Sequence, residues 1–297
     1  MAVLEFRDVI LAYQRGRPVL DGVSLQVEAG QVVGLLGRNG AGKTTLLRIA
    51  MGMLVPQSGR VTVFGEDPRA DVVGVRRRIG YVSEVQELPP FMSVKDVLTL
   101  HRSLYPDWDD ALAERLGSRF QLPIGARIGK LSKGQARQVA LLCAISHRPE
   151  LLILDEPAGG LDPATRREFL ETSINYLAES GTTILFSSHH MTDVERMASR
   201  LVMVHNGQLW LDSDVDQVKE GYCLALIPED DVASTDLLLG IPGCLSARLR
   251  DGVWRAIFER APGKCETDLQ RELGCPSVRC SRVGLEDMFI ELVGGRS

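Results

Sequence analysis

Gly37-Arg38-Asn39-Gly40-Ala41-Gly42-Lys43-Thr44-Thr45 decides the fold of this chain. Val32-Val33-Gly34-Leu35-Leu36 leads into it, a short apolar segment with glycines around it that predicts a buried strand. Leu46-Leu47-Arg48-Ile49-Ala50-Met51 leads out of it and predicts a helix. A G-x-x-x-x-G-K-[ST] match carries mechanical meaning only between a strand and a helix, and both are present. Glycines let successive backbone N–H groups curl round a phosphate, and the helix N-terminus adds partial positive charge. Lys43 supplies a point charge for the outer phosphates, and the Thr44 hydroxyl is a ligand for Mg²⁺. The stretch predicts a nucleoside-triphosphate site.

The rest of the chain sets bounds on what surrounds that site. Its 297 residues suit a main domain with an appendage, and 44% apolar with 25% charged residues is ordinary globular composition. A net charge of −5 argues against a general nucleic-acid binder. No stretch approaches ~20 consecutive apolar residues, and the N-terminus lacks a signal-peptide pattern, so a cytoplasmic location is expected. Six cysteines, at 143, 223, 244, 265, 275 and 280, form no C-x-x-C pair and have no histidine near the last five. That spacing speaks against zinc and for reduced, mostly buried thiols.

Residues 3–12 and 23–28 alternate apolar and polar positions and predict strands joined by a turn at 14–18. Tyr13 ends the first, where an exposed ring face suits stacking on a nucleotide base. Further strands are expected at 58–65 and 79–84, the second ending on the Glu84 carboxylate, before Glu87-Leu88-Pro89-Pro90 breaks the pattern. A largely helical block from about 94 to 146 ends in a helix opened by Leu131-Ser132-Lys133-Gly134-Gln135, with Ser132 as N-cap. Leu151-Leu152-Ile153-Leu154 suits a parallel strand buried on both faces, and it ends in Asp155-Glu156. There Asp155 would hold Mg²⁺ through water and Glu156 would polarise an attacking water. Asp162-Pro163 reads as the start of a helix. Residues 182–190 predict a strand ending at His189 and His190, within reach of a γ-phosphate if the sheet brings its C-terminal ends to one crevice. Strands at 200–205 and 208–211 flank Asn206-Gly207, a hairpin pair. From about 221 the succession strand, helix, strand, strand, helix, strand fits a small ferredoxin-like α+β module. A last amphipathic helix carries Leu285, Met288, Phe289 and Leu292.

Taken together, GRNGAGKT, LSKGQ, LLILDEP, GGLDP and SSH, in that order, resemble the nucleotide-binding subunit of an ATP-binding cassette (ABC) transporter. Tyr81-Val82-Ser83-Glu84, Tyr105-Pro106-Asp107-Trp108-Asp109, Asp193-Val194-Glu195-Arg196 and Leu285-Glu286-Asp287-Met288-Phe289 look like the ABC-2-type exporter branch. The resemblance implies an α/β P-loop ATPase core over residues 1–215, with an antiparallel β-subdomain and a helical subdomain near 85–146. Residues 216–297 follow as an accessory α+β module. It implies that Tyr13 stacks on adenine and that Gly37, Asn39, Gly40, Ala41, Gly42, Lys43, Thr44 and Thr45 cradle the phosphates and Mg²⁺. Asp155 and Glu84 attend the metal, Glu156 is the general base, and His189 senses the γ-phosphate. Ser132, Gly134 and Gln135 act on ATP held by an opposite subunit, and Asp162 lies across the interface. ATP, Mg²⁺, a second ATPase domain and separate transmembrane permease subunits are therefore the implied partners, placing the chain at the inner face of a membrane. Two positions depart from the pattern: Lys133 stands where many relatives have glycine, and Glu84 where glutamine is usual. The alternative is a soluble ABC ATPase acting as a switch on ribosomes or DNA. A single phosphate loop, no long heptad coiled coil and no basic stripe weigh against it. A regulatory module without turnover is disfavoured by the presence of both Glu156 and His189.

Overall fold

The computed structural model describes residues 2–13, 16–85, 88–232 and 234–293. Gln14, Arg15 and Glu87, and the side chains of Phe289 and Leu292, lie outside the described residues. The chain divides into two compact units, Met1–Asp212 and Ser213–Ser297. No described helix is long and apolar enough to cross a membrane.

The first unit carries two sheets. β1 (Ala2–Leu11), β2 (Leu20–Glu28) and β4 (Ser58–Val63) form an antiparallel sheet in the order β2-β1-β4. The second has six strands. These are β3 (Val32–Leu36), β5 (Ile79–Val82), β6 (Leu151–Leu154), β7 (Thr183–Ser188), β8 (Arg200–His205) and β9 (Gln208–Asp214), in the order β5-β6-β7-β3-β8-β9. β5, β6, β7, β3 and β8 pair in parallel. Every residue of β3, β6 and β7 is buried, as strands covered on both faces demand. Because they run parallel, the segments after β3, β6 and β7 emerge at one edge. That edge receives the phosphate-loop stretch, Asp155-Glu156 and His189.

Three helices fill the predicted helical block, and each starts on a side-chain cap. Val94–Leu104 begins with a Ser93/Asp96 capping box, Asp110–Arg119 with Asp109, and Lys133–Ile145 with a Ser132/Gln135 capping box. The expected strand ends are longer than the observed ones: β5 stops at Val82 and β4 at Val63, so Glu84 sits in a bend. Tyr13 likewise lies beyond the end of β1. Among the described residues the structure adds short helices at Val72–Arg77, Met191–Met197 and Val215–Gly221, the first capped by the Asp71 carboxylate on the Gly74 N–H. The sequence hid Val72–Arg77, since a mid-helix glycine lowers helix propensity.

The second unit holds β10 (Cys223–Pro228), β11 (Cys244–Arg250), β12 (Val253–Phe258) and β13 (Arg279–Arg282). They form a sheet in the order β11-β12-β10-β13, with all neighbours antiparallel. Its core gathers Ile227, Trp254, Phe258, Leu269 and Val278, and the Trp254 indole N–H donates to the Val232 carbonyl at 3.2 Å. Helices Thr235–Leu239 and Pro262–Leu273 interleave with the strands, and Leu285–Val293 follows them.

Candidate functional site

The loop between β3 and the helix Lys43–Ala50 can be built only with glycine at two of its positions. A Cβ on Gly37 would stand 2.4 Å from the Val204 carbonyl oxygen. Gly42 has φ 109°, and a Cβ there would meet Leu20 Cδ2 at 2.7 Å. The close approach of backbone to backbone turns Lys43 inward, where it is 5% exposed. Its ammonium donates to the Gly37 carbonyl at 2.7 Å and the Arg38 carbonyl at 3.4 Å.

Lys43 Nζ also stands 3.1 Å from Glu156 Oε1. Glu156 is itself 6% exposed, so this is an ion pair inside the protein. Its other oxygen, Oε2, faces the His189 ring at 2.8 Å and accepts from the His189 backbone N–H at 3.3 Å. Oε1 lies outside hydrogen-bond alignment with any described donor, a buried acceptor with capacity left. The backbone of Glu156 adopts φ 45°, a left-handed conformation that costs a non-glycine residue energy. Its N–H donates to Ser187 Oγ at 2.8 Å, and its carbonyl accepts from Arg137 at 3.2 Å, which holds the strained residue from both sides.

Asp155, at 1% exposure, accepts from Thr44 Oγ1 at 3.1 Å and Ser187 Oγ at 2.7 Å, all through Oδ1. Tyr13 OH lies 3.2 Å from Thr45 Oγ1 while the ring stays mostly exposed. Tyr13, Val19, Asn39 to Thr45, Glu84 and Glu156 line a cavity of about 410 Å³. The structure thus brings together the phosphate-loop residues, Tyr13, Glu84 and Glu156, with Asp155 hydrogen-bonded behind Thr44.

Ser132, Gly134 and Gln135 do not line that cavity. Ser132 and Lys133 line a second one of about 550 Å³, shared with Glu84, Arg137, Glu156, Gly160 and His189. Ser132 and Gln135 are engaged with each other, the Ser132 hydroxyl accepting the Gln135 N–H and the Gln135 amide oxygen accepting the Ser132 N–H, both at 3.1 Å. Asp162 caps the helix Pro163–Ser180, accepting from the Ala164 and Thr165 N–H groups at 3.1 Å. Further back, Arg166 and Asp193 form a two-point ion pair, and Ser188 donates to the same carboxylate at 3.3 Å.

Arg137 is the residue that motif reading passed over. It is 8% exposed, and its guanidinium donates to the carbonyls of Ser83, Glu84, Glu156 and Pro157. Burial lowers its pKa below the ordinary arginine value, opposed by the Glu84, Asp155 and Glu156 carboxylates. One planar cation therefore joins the Glu84 bend to the strained Glu156 turn. The signal in the sequence is a lone arginine leading an otherwise apolar run, Val139-Ala140-Leu141-Leu142, down one helix. Arg137→Met is expected to lower stability by about 1.5–3 kcal/mol through the orphaned carbonyls, with Arg137→Lys giving little rescue. Urea midpoints for the two variants check this, and a lysine variant matching wild type would contradict it.

A lysine buried at the C-terminal edge of a parallel sheet, between backbone carbonyls and a strand-end carboxylate, defines the class: a P-loop nucleotide hydrolase. Comparison with known proteins narrows the class to a family. Residues 20–159 match the ABC transporter family model. Over 295 residues the chain is 31% identical to the ABC transporter ATP-binding protein YtrB of Bacillus subtilis (strain 168), covering 99% of each chain. It is 31% identical over 290 residues to the Nod factor export ATP-binding protein I of Rhizobium sp. (strain N33), covering 93% of this chain and 92% of that one. Among solved structures, an ATP-binding subunit of an ABC transporter superimposes with a TM-score of 0.66 at 30% identity, over 73% of this chain and 92% of that one. The chain belongs to the ABC transporter ATP-binding proteins, and it is an ABC transporter ATPase that binds ATP.

Proposed function

We propose that the chain is the ATP-hydrolysing motor of an exporter, driving transmembrane subunits carried on separate chains from the inner face of the membrane. The observation that carries the hydrolytic part is the triangle Lys43–Glu156–His189, set beside the phosphate loop. Glu156 Oε1 is a buried acceptor able to take a proton from water. Lys43 meets the outer phosphates, drawn from Glu156 by their greater charge. His189 fixes the Glu156 carboxylate through Oε2 and reaches toward the γ-phosphate. Tyr13 stacks on adenine, and Gly37, Asn39, Gly40, Ala41, Gly42 and Thr45 complete the cradle. The export direction is supported by relatives named for Nod factor export and for bacitracin transport. Phosphate release by the purified chain, together with co-purification of a detergent-solubilised membrane protein, tests the proposal. No turnover, or a partner without membrane spans, would overturn it.

The donor set fits Mg²⁺: Thr44 Oγ1 and Asp155 Oδ1 lie 3.1 Å apart, and such hard oxygens are what this ion selects. Thr44 would hold it directly and Asp155 through water, with Glu84 on the lining of the same cavity. Bound there, Mg²⁺ would supply positive charge against the phosphates. Glu84 is a charged group where a glutamine would offer a neutral oxygen, and it repels the triphosphate unless the metal intervenes. Glu84→Gln is expected to weaken the Mg²⁺ dependence of ATP affinity roughly fivefold, about 1 kcal/mol for an exposed charge. Superimposable Mg²⁺ titrations for wild type and variant would show that Glu84 takes no part.

Two ATPase domains are needed on this reading, because Ser132, Gly134 and Gln135 stand outside the phosphate-loop cavity of their own chain. They serve ATP on the opposite domain, with Asp162 at the interface. We assign residues 1–215 to the nucleotide-binding domain, 85–146 to its helical subdomain, and 216–297 to an accessory domain. The strand order β11-β12-β10-β13 and the interleaved helices support a ferredoxin-like reading of the latter.

A further inference from the structure

Five of the six cysteines fall in the second unit, and the fold collects three of them at one point. Cys223 opens β10, and Cys280 lies on β13 opposite Ala225. Positions 223 and 225 share a face by the two-residue alternation of a strand, so Cys223 and Cys280 look the same way. Cys265 comes to that face from the first turn of the helix Pro262–Leu273. The three sulfurs all lie within 4.8 Å of one another. Cys223 and Cys265 are buried, and Cys280 is partly exposed, which leaves one side open for entry.

We propose that Cys223, Cys265 and Cys280 form a binding site for one thiophilic d¹⁰ cation, Zn²⁺ or Cu⁺. The spacing is nearly that of a loaded site. With metal–sulfur bonds of ~2.3 Å, three thiolates around one ion sit ~3.8–4.0 Å apart, so closure needs rotamer adjustments and no backbone rearrangement. Soft thiolate sets select these two cations over Mg²⁺ or Ca²⁺. Binding would release the thiol protons and exchange S–H hydrogen bonds for metal bonds. Glu266 supplies the outer support: its Oε2 accepts the Cys280 N–H at 2.7 Å and fixes the strand at that ligand. The cysteine spacing argued against zinc because it counts only local pairs. Cys223 and Cys265 are separated by a helix and two strands, Cys265 and Cys280 by the rest of a helix and a loop, and the three meet only after folding.

The test uses the reduced full chain with Zn²⁺ alone, and separately Cu⁺ alone, each titrated against a chromophoric chelator. One equivalent of one of the two is expected, with Co²⁺ substitution giving a thiolate-to-metal charge-transfer band. Cys265→Ser and Cys280→Ser should each weaken binding at least ~100-fold, while Cys143→Ser, in the other unit, leaves it unchanged. Glu266→Gln keeps all three ligands and the fold, and should weaken binding ~10-fold. Absence of a stoichiometric ion, binding that survives Cys265→Ser, or an air-formed disulfide among the three in a chain that takes up no metal would each overturn the proposal.

Discussion

Glu156→Gln is expected to hold ATP and hydrolyse it ~10²–10⁴-fold more slowly than wild type. The amide keeps the shape of the carboxylate and the left-handed backbone at φ 45°, so the turn gripped by Ser187 and Arg137 survives. What is lost is the ability to take a proton at Oε1, the buried acceptor with unused capacity. The substitution also removes the anion that competes with phosphate for Lys43, 3.1 Å away. ATP affinity should therefore be equal to or greater than that of wild type. With binding intact and turnover blocked, the ATP-bound dimer should accumulate on a sizing column. Single-turnover phosphate release and a nucleotide titration measure the two effects separately. Near wild-type turnover would remove Glu156 from the role of base.

This site was legible in the sequence where local chemistry is compulsory. Gly37 and Gly42 are fixed by approaches that no side chain tolerates, and the apolar run Leu151 to Leu154 is fixed by burial on both faces. Ser132 and Asp162 announce helix starts because unpaired N–H groups need acceptors. The partners of Arg137 were not legible, since they are main-chain carbonyls and a carbonyl has no letter in the sequence. The Cys223–Cys265–Cys280 cluster was hidden for a related reason: a strand pairing and a helix docking bring it together. Nor could the pairing of Lys43 with Glu156 be read, although both residues were singled out. Separate strand-end predictions say that two groups reach one edge, but the 3.1 Å between them depends on how β3, β7 and β6 pack in order.

That pairing gives the second large expectation. Lys43→Met removes the ammonium that meets the phosphates, and ATP binding should weaken by about 2–5 kcal/mol, roughly 30-fold to several thousand-fold. It should also destabilise the protein before any nucleotide is added. Methionine fills the space of the lysine stem but leaves Glu156, 6% exposed, without its cation. Breaking a buried pair by deleting one partner costs about 3–5 kcal/mol, because the remaining charge is uncompensated. His189 alone does not make up the loss, as it meets the other oxygen. The double variant Lys43→Met/Glu156→Gln separates the two effects. Neutralising Glu156 should restore most of the stability, since an amide is far cheaper to bury than a carboxylate. ATP affinity should stay low, because no cation has been returned to the loop. Urea midpoints across the four proteins of the cycle give the coupling between the two residues, and nucleotide titrations across the same four give the phosphate contact. A Lys43→Met protein as stable as wild type would mean that the ion pair does not compensate a buried charge. A double variant that regains ATP affinity would mean that Lys43 acts on the nucleotide only through Glu156.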